Sequence, residues 1–146
     1  MRFEGGARGV MWVTKAAPGA ENVLTIRVYG ERAGLEWAQG APNHMRLTRQ
    51  GKPAQVLSRG QDDLLPPAKR ATRVPAGHPE GFHEAFANLY ADFAEAVVAR
   101  LTGEAADPLA LDFPTVEDGA RGVAFVEAAV RSSDEGGWAD CRVALG

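Results

Sequence analysis

The sequence predicts an α+β domain: an open, mainly antiparallel sheet with two long helices on one face, the other sheet face serving as an oligomer interface. Three observations predict it. Residues 7–58 break into short β-favouring runs separated by tight turn residues. Residues 82–130 switch to apolar spacing of three and four. Strands come first and helices later, which argues for segregated layers rather than alternating βαβ units. With 146 residues the chain is long enough for one ordinary domain and too short for two, so residues 1–146 are read as a single domain.

The first expected strand, residues 7–15, carries Val10, Trp12, Val13 and Thr14 between Gly5-Gly6 and Pro18-Gly19. The second, residues 22–29, alternates cleanly. Leu24, Ile26 and Val28 point one way, while Val23, Thr25, Arg27 and Tyr29 point the other. Residues 33–38 follow a three-residue turn, and residues 44–48 and 54–58 flank Arg49-Gln50-Gly51-Lys52-Pro53. Connections this short imply antiparallel neighbours, because a parallel return needs a crossover of about a dozen residues. Residues 59–80 show no period and read as a long loop. The first helix then carries Phe82, Phe86, Leu89, Phe93, Val97 and Leu101 on one stripe, with Gly103 as its C-terminal cap. The second starts at Thr115, a natural N-cap, with Glu117 and Asp118 in its first turn. It fades between Ser132 and Gly137, and residues 138–145 read as a last short strand. A sheet face bearing Trp12, Tyr29 and Trp37 is too apolar for water, so a second subunit is expected to cover it.

Charge and cysteine usage exclude several classes. The net charge is −3, from 16 basic and 19 acidic residues. That offers no general attraction to nucleic acid or anionic membrane. The short basic cluster of Lys69, Arg70 and Arg73 reads as solvated loop charge. The single cysteine, Cys141, cannot form an internal disulfide, and its neighbours offer no base to activate it. The N-terminus lacks a signal-peptide core, and no segment approaches the roughly 18 apolar residues of a membrane helix, so a cytoplasmic location is expected.

Residues with chemical potential are few. His44, His78 and His83 have no partners at metal-ligand spacing, so no metal site is expected. Gly5-Gly6-x-x-Gly9 precedes an expected strand and not a helix, so phosphate would find no helix N-terminus there. The most informative string is Pro75-Ala76-Gly77-His78-Pro79-Glu80-Gly81-Phe82. It places a histidine and a glutamate just before a long helix, between residues that fix the backbone. Glu80 suits a helix cap there, and His78 a packing role. Alternatively His78 faces a cleft and hydrogen-bonds a substrate hydroxyl. Trp12 and Lys15 suit either sheet packing and a solvated strand end, or the wall of a pocket for a polyhydroxylated ligand. The candidate substrate-binding residues are therefore Trp12, Lys15, His78 and Glu80.

Four strings in order carry a wider resemblance. Phe3-Glu4-Gly5-Gly6-Ala7-Arg8-Gly9-Val10 resembles a strand of the glucose–fructose oxidoreductase / inositol dehydrogenase / MocA family. Tyr29 to Trp37 is similar to that family's next strand and turn, Gly77 to Phe82 to its helix start, and Phe113 to Gly119 to the opening of its last long helix. The resemblance implies a C-terminal α+β domain that helps form a substrate pocket and the oligomer interface. It implies a separate N-terminal Rossmann domain holding NAD or NADP and a Glu-Lys-Pro lysine. Neither that motif nor the family's Gly-x-His-x-x-Asp helix occurs in this chain. The resemblance thus assigns it no catalytic residue and no cofactor ligand, and taken alone the chain is expected to be inactive. The function implied is the substrate-pocket and oligomerisation part of a nicotinamide-dependent oxidoreductase acting on a sugar, cyclitol or other polyol. The alternative is a standalone, non-catalytic binding or dimerisation module.

Overall fold

A computed structural model describes residues 1–144 and divides the chain into two compact units. Of the described residues, the first holds 1–61 and 76–81, the second 62–75 and 82–144.

The first unit is built on a four-stranded antiparallel sheet in simple order, β1 (Thr25–Tyr29), β2 (Ala33–Ala38), β3 (His44–Arg49) and β4 (Gln55–Ser58). The alternation of residues 22–29 sets its faces. Ile26 lies opposite Trp37, Trp37 opposite Met45, and Met45 opposite Leu57. Val28, Leu35 and Leu47 form a second apolar row on the same face. The other face carries the row Arg27, Glu36, Arg46 and Val56. Tyr29 lies opposite Gly34 on this polar face. A Cβ on Gly34 would stand 2.8 Å from Tyr29 Cδ1, so the missing side chain is what lets the ring lie across the neighbouring strand. Trp37 donates its indole N–H to the Pro42 carbonyl at 3.0 Å.

Three strand expectations need correction. Tyr29 and Trp37 do not share a face: the register sends Trp37 to the apolar side and Tyr29 to the polar side. Residues 7–15 are not a strand, so Trp12 belongs to neither face. Residues 1–9 close on themselves instead. Met1 and Gly9 exchange hydrogen bonds of 2.7 and 3.1 Å around a 3₁₀ turn at Glu4–Gly6. Val10 to Thr14 then belong to no strand or helix. Their β-favouring composition describes a fit to a pleated surface, which becomes a strand only where an edge accepts it. Residues 138–144 likewise form no strand, and residue 145 of that expectation lies outside the described residues.

The second unit is helical. α1 (Pro66–Arg70) interrupts what the sequence presented as featureless loop. Five residues are too few to show a period, but Pro66-Pro67 supply the fixed φ and missing N–H that suit a first turn. α2 (Phe82–Thr102) covers the expected stripe, and Gly103 donates to the Ala99 carbonyl at 3.0 Å as its cap. A 3₁₀ turn at Pro108–Leu111 packs against α2 and carries Ala110, which is fully buried. Phe93 of α2 meets Phe113 edge to face, centroids 5.6 Å apart. α3 (Val116–Glu135) opens with a complete capping box. Asp118 N–H donates to the Thr115 hydroxyl, and Thr115 N–H donates to the Asp118 carboxylate at 2.9 Å.

Candidate functional site

The start of β3 and the end of β4 build a polar site of linked hydrogen bonds. His44 pairs with Ser58 in the sheet, so Asn43 and Arg59 come next, side by side, just beyond the ladder. Arg59 N–H still donates to the Asn43 carbonyl at 2.9 Å. Arg59 Nε donates to Asn43 Oδ1 at 2.8 Å, which fixes the two side chains against each other. Together they grip residues 78–80. Asn43 Oδ1 accepts from Glu80 N–H at 3.0 Å, and Asn43 Nδ2 donates to the Glu80 carbonyl at 2.9 Å. Arg59 Nη1 donates to the Glu80 carboxylate at 2.9 Å, and Arg59 Nη2 donates to the His78 carbonyl.

Burial decides how much this network matters. The Glu80 side chain is 6% exposed and that of Arg59 16%. The exposed Arg27–Glu36 pair on the sheet, at 57% and 39%, has similar geometry at 3.1 Å but remains in water. A charge as buried as Glu80 needs its partner, and the rigid guanidinium fork suits several acceptors at once. Gly60 completes the arrangement. It has φ +78, and a Cβ there would press on the Ala76 backbone nitrogen at 3.1 Å, so the chain after β4 and the start of the 76–81 loop approach closely.

The four candidate residues fare differently. His78 and Glu80 are brought together through Arg59. His78 itself is exposed, while Glu80 is interior and committed to Arg59. Trp12, 78% exposed, and Lys15 lie on the irregular 10–15 segment. Among the described residues no hydrogen bond or ion pair ties either of them to His78 or Glu80. Asn43 and Arg59 were missed by sequence reading. The signal was present: one immediately precedes a strand, the other immediately follows its hairpin partner, so correct register would have placed them adjacent.

The second unit contains a different cluster. Arg70, at the end of α1, donates to Asp92 and Glu95 of α2 at 2.8 Å each and to Asp107 at 3.1 Å. Its hydrogen bonds to Glu95 and then Asp92 push its pKa further above the arginine range. Arg73 donates to the Asn88 side chain at 2.5 Å and to the Ala87 carbonyl at 3.1 Å. The expectation of a solvated basic cluster therefore fails for the partly buried Arg70, while Arg73 stays exposed, and both fasten residues 66–73 to α2. A cleft of about 470 Å³ lies beside them, lined by Pro67, Arg70, Arg73, Asn88, Asp92 and Leu109 among others.

The Gly5-Gly6-x-x-Gly9 string does not open a helix. Gly5 and Gly6 sit in a single 3₁₀ turn followed by residues 7–9, which pair back to residues 1–3, so no helix N-terminus follows them to meet a pyrophosphate. Among the described residues no helix is long and apolar enough to cross a membrane.

The antiparallel sheet of the first unit and the helices of the second make this an α+β chain. Comparison with known proteins gives the family. A model described as "Oxidoreductase family, C-terminal alpha/beta domain" matches residues 1–141, and the chain belongs to this glucose–fructose oxidoreductase / inositol dehydrogenase / MocA family. An uncharacterized oxidoreductase of Bacillus subtilis, YfiI, is 35% identical over 136 residues, 93% of this chain and 35% of that protein. An inositol dehydrogenase homolog of Azotobacter vinelandii, solved with NADH and myo-inositol, is 42% identical with a TM-score of 0.84 over 94% of this chain and 36% of the other. An oxidoreductase of Pseudomonas syringae is 40% identical with a TM-score of 0.82 over 92% of this chain and 37% of that one. The chain thus spans about a third of the length of the relatives it matches.

Proposed function

We propose that this chain is the substrate-pocket and oligomerisation domain of an NAD-dependent oxidoreductase that acts on a cyclitol, sugar or other polyol. The observation that carries the reading is its 42% identity, at a TM-score of 0.84, to an inositol dehydrogenase homolog solved with NADH and myo-inositol. In the whole protein a separate Rossmann domain holds the cofactor, which supplies the hydride chemistry. This domain supplies orientation. His78 hydrogen-bonds a substrate hydroxyl from an exposed, firmly held loop, and Trp12 and Lys15 form part of the pocket wall. Glu80 serves the same pocket from inside the loop, paired to Arg59.

Surface area supports the need for covering partners. The chain exposes 12139 Å². Two separate compact bodies sharing its 15.5 kDa would together expose about 8,700 Å². Ala110 and Ala128 are the only buried apolar residues among those described, while Val10, Trp12 and Leu101 are each more than three-quarters exposed. Cover by the cofactor domain and by a second copy of the chain accounts for this apolar surface.

The test is steady-state kinetics in the full-length enzyme. His78→Ala is expected to raise the Michaelis constant for the polyol or to lower turnover. Unchanged kinetics would remove His78 from the pocket.

A further inference from the structure

We infer that Arg59, acting with Asn43 and Glu80, is a positioning residue that presents His78 to the substrate; the inference rests on the pocket role proposed above. Two side chains hydrogen-bond the backbone of residues 78 and 80. Arg59 Nη2 holds the His78 carbonyl, and Asn43 holds both polar groups of the Glu80 backbone at 2.9 and 3.0 Å. Both side chains stand at the rigid end of the β3–β4 hairpin, locked to each other at 2.8 Å. His78 is thus exposed for contact while its main chain is fixed to the sheet through Arg59.

The chemistry of the holding group is specific. One planar guanidinium reaches three acceptors: Asn43 Oδ1, the Glu80 carboxylate and the His78 carbonyl. A lysine can keep an ion pair with Glu80 but cannot span all three, because its donors radiate from one nitrogen. Glu80 keeps the guanidinium in register from the interior, where it is only 6% exposed. A residue held this way reaches substrate already placed, and small misplacements of such groups cost far more than their size suggests.

The experiment is a double-mutant cycle in the full-length enzyme with myo-inositol and NAD⁺. Arg59→Lys is expected to raise the Michaelis constant for myo-inositol by on the order of tenfold, with that for NAD⁺ unchanged. His78→Ala is expected to do the same, and the double variant to be no worse than His78→Ala alone, since there is then no imidazole left to misplace. Multiplying effects in the double variant would show a general structural role and overturn the proposal. So would a wild-type Michaelis constant for Arg59→Lys beside a raised one for His78→Ala. Should Arg59→Lys not fold, Asn43→Ser loosens the same loop from the other side and is read through the same cycle. A wild-type enzyme that oxidises no polyol fails earlier and differently, by removing the pocket role itself.

Discussion

Replacing Glu80 with alanine leaves the Arg59 guanidinium without its carboxylate in a setting where its side chain is only 16% exposed. Removing one partner of a buried pair costs about 3–5 kcal/mol, because the remaining charge stays desolvated. Arg59 retains some access to water and keeps its bonds to Asn43 and the His78 carbonyl, so the lower end, about 3 kcal/mol, applies. The Arg27–Glu36 pair is the internal control. Its 3.1 Å separation is similar, but its side chains are 57% and 39% exposed, so Glu36→Ala should cost less than about 1 kcal/mol. Urea unfolding followed by tryptophan fluorescence reads both, with Trp37 in the sheet as a reporter. At a slope of about 2 kcal/mol per molar urea, Glu80→Ala should lower the midpoint by about 1.5 M and Glu36→Ala by less than about 0.5 M. Equal shifts for the two variants would refute the argument that burial, not bond length, sets the value of these pairs.

Other perturbations test other parts of the structure. Thr115→Ala removes the N-cap of α3 and should cost about 1 kcal/mol, measured by thermal unfolding. The Asp118 carboxyl is held below its usual range by hydrogen bonds from Thr115 and then Arg121. Its contribution is therefore present above the unfolded carboxyl value near 4 and lost as pH falls through the lower folded value. Accordingly, a stability difference between wild type and Asp118→Asn at neutral pH should shrink in acid, and one that persists unchanged would contradict the assignment. Gly60→Ala combines φ +78 with a 3.1 Å contact to the Ala76 backbone, so it should destabilise the protein by about 1 kcal/mol or more in the same thermal assay. Arg70→Ala should release α1, seen as faster hydrogen exchange and faster tryptic cleavage around Lys69, while leaving exchange in β1–β4 unchanged.

The sequence carried the parts of the fold that follow from local periodicity. The alternation of residues 22–29 gave both faces of β1, and the turn residues after Tyr29 and Arg49 gave the antiparallel order. The apolar stripe from Phe82 and the Thr115 cap gave α2 and α3 with nearly correct ends. What stayed hidden depended on distant partners. Residues 7–15 have the composition of a strand, but composition does not reveal whether an edge receives them. Tyr29 and Trp37 look alike as exposed aromatics, and only the β1–β2 register separates them. Arg59 looked like the first residue of a loop. Its role appears once the hairpin sets it beside Asn43, with Glu80 returning 21 residues later. The anchoring of Arg70 and Arg73 stayed hidden because their acceptors on α2 lie 14 to 25 residues away.

The most direct test of the central claim is NADH formation by the full-length polypeptide that carries this domain, supplied with NAD⁺ and a panel of cyclitols and sugars including myo-inositol. NADH should accumulate with at least one polyol, and more slowly at low substrate in the His78→Ala variant. No NADH formation with any member of the panel, from protein that binds NAD⁺, would contradict the polyol oxidoreductase reading.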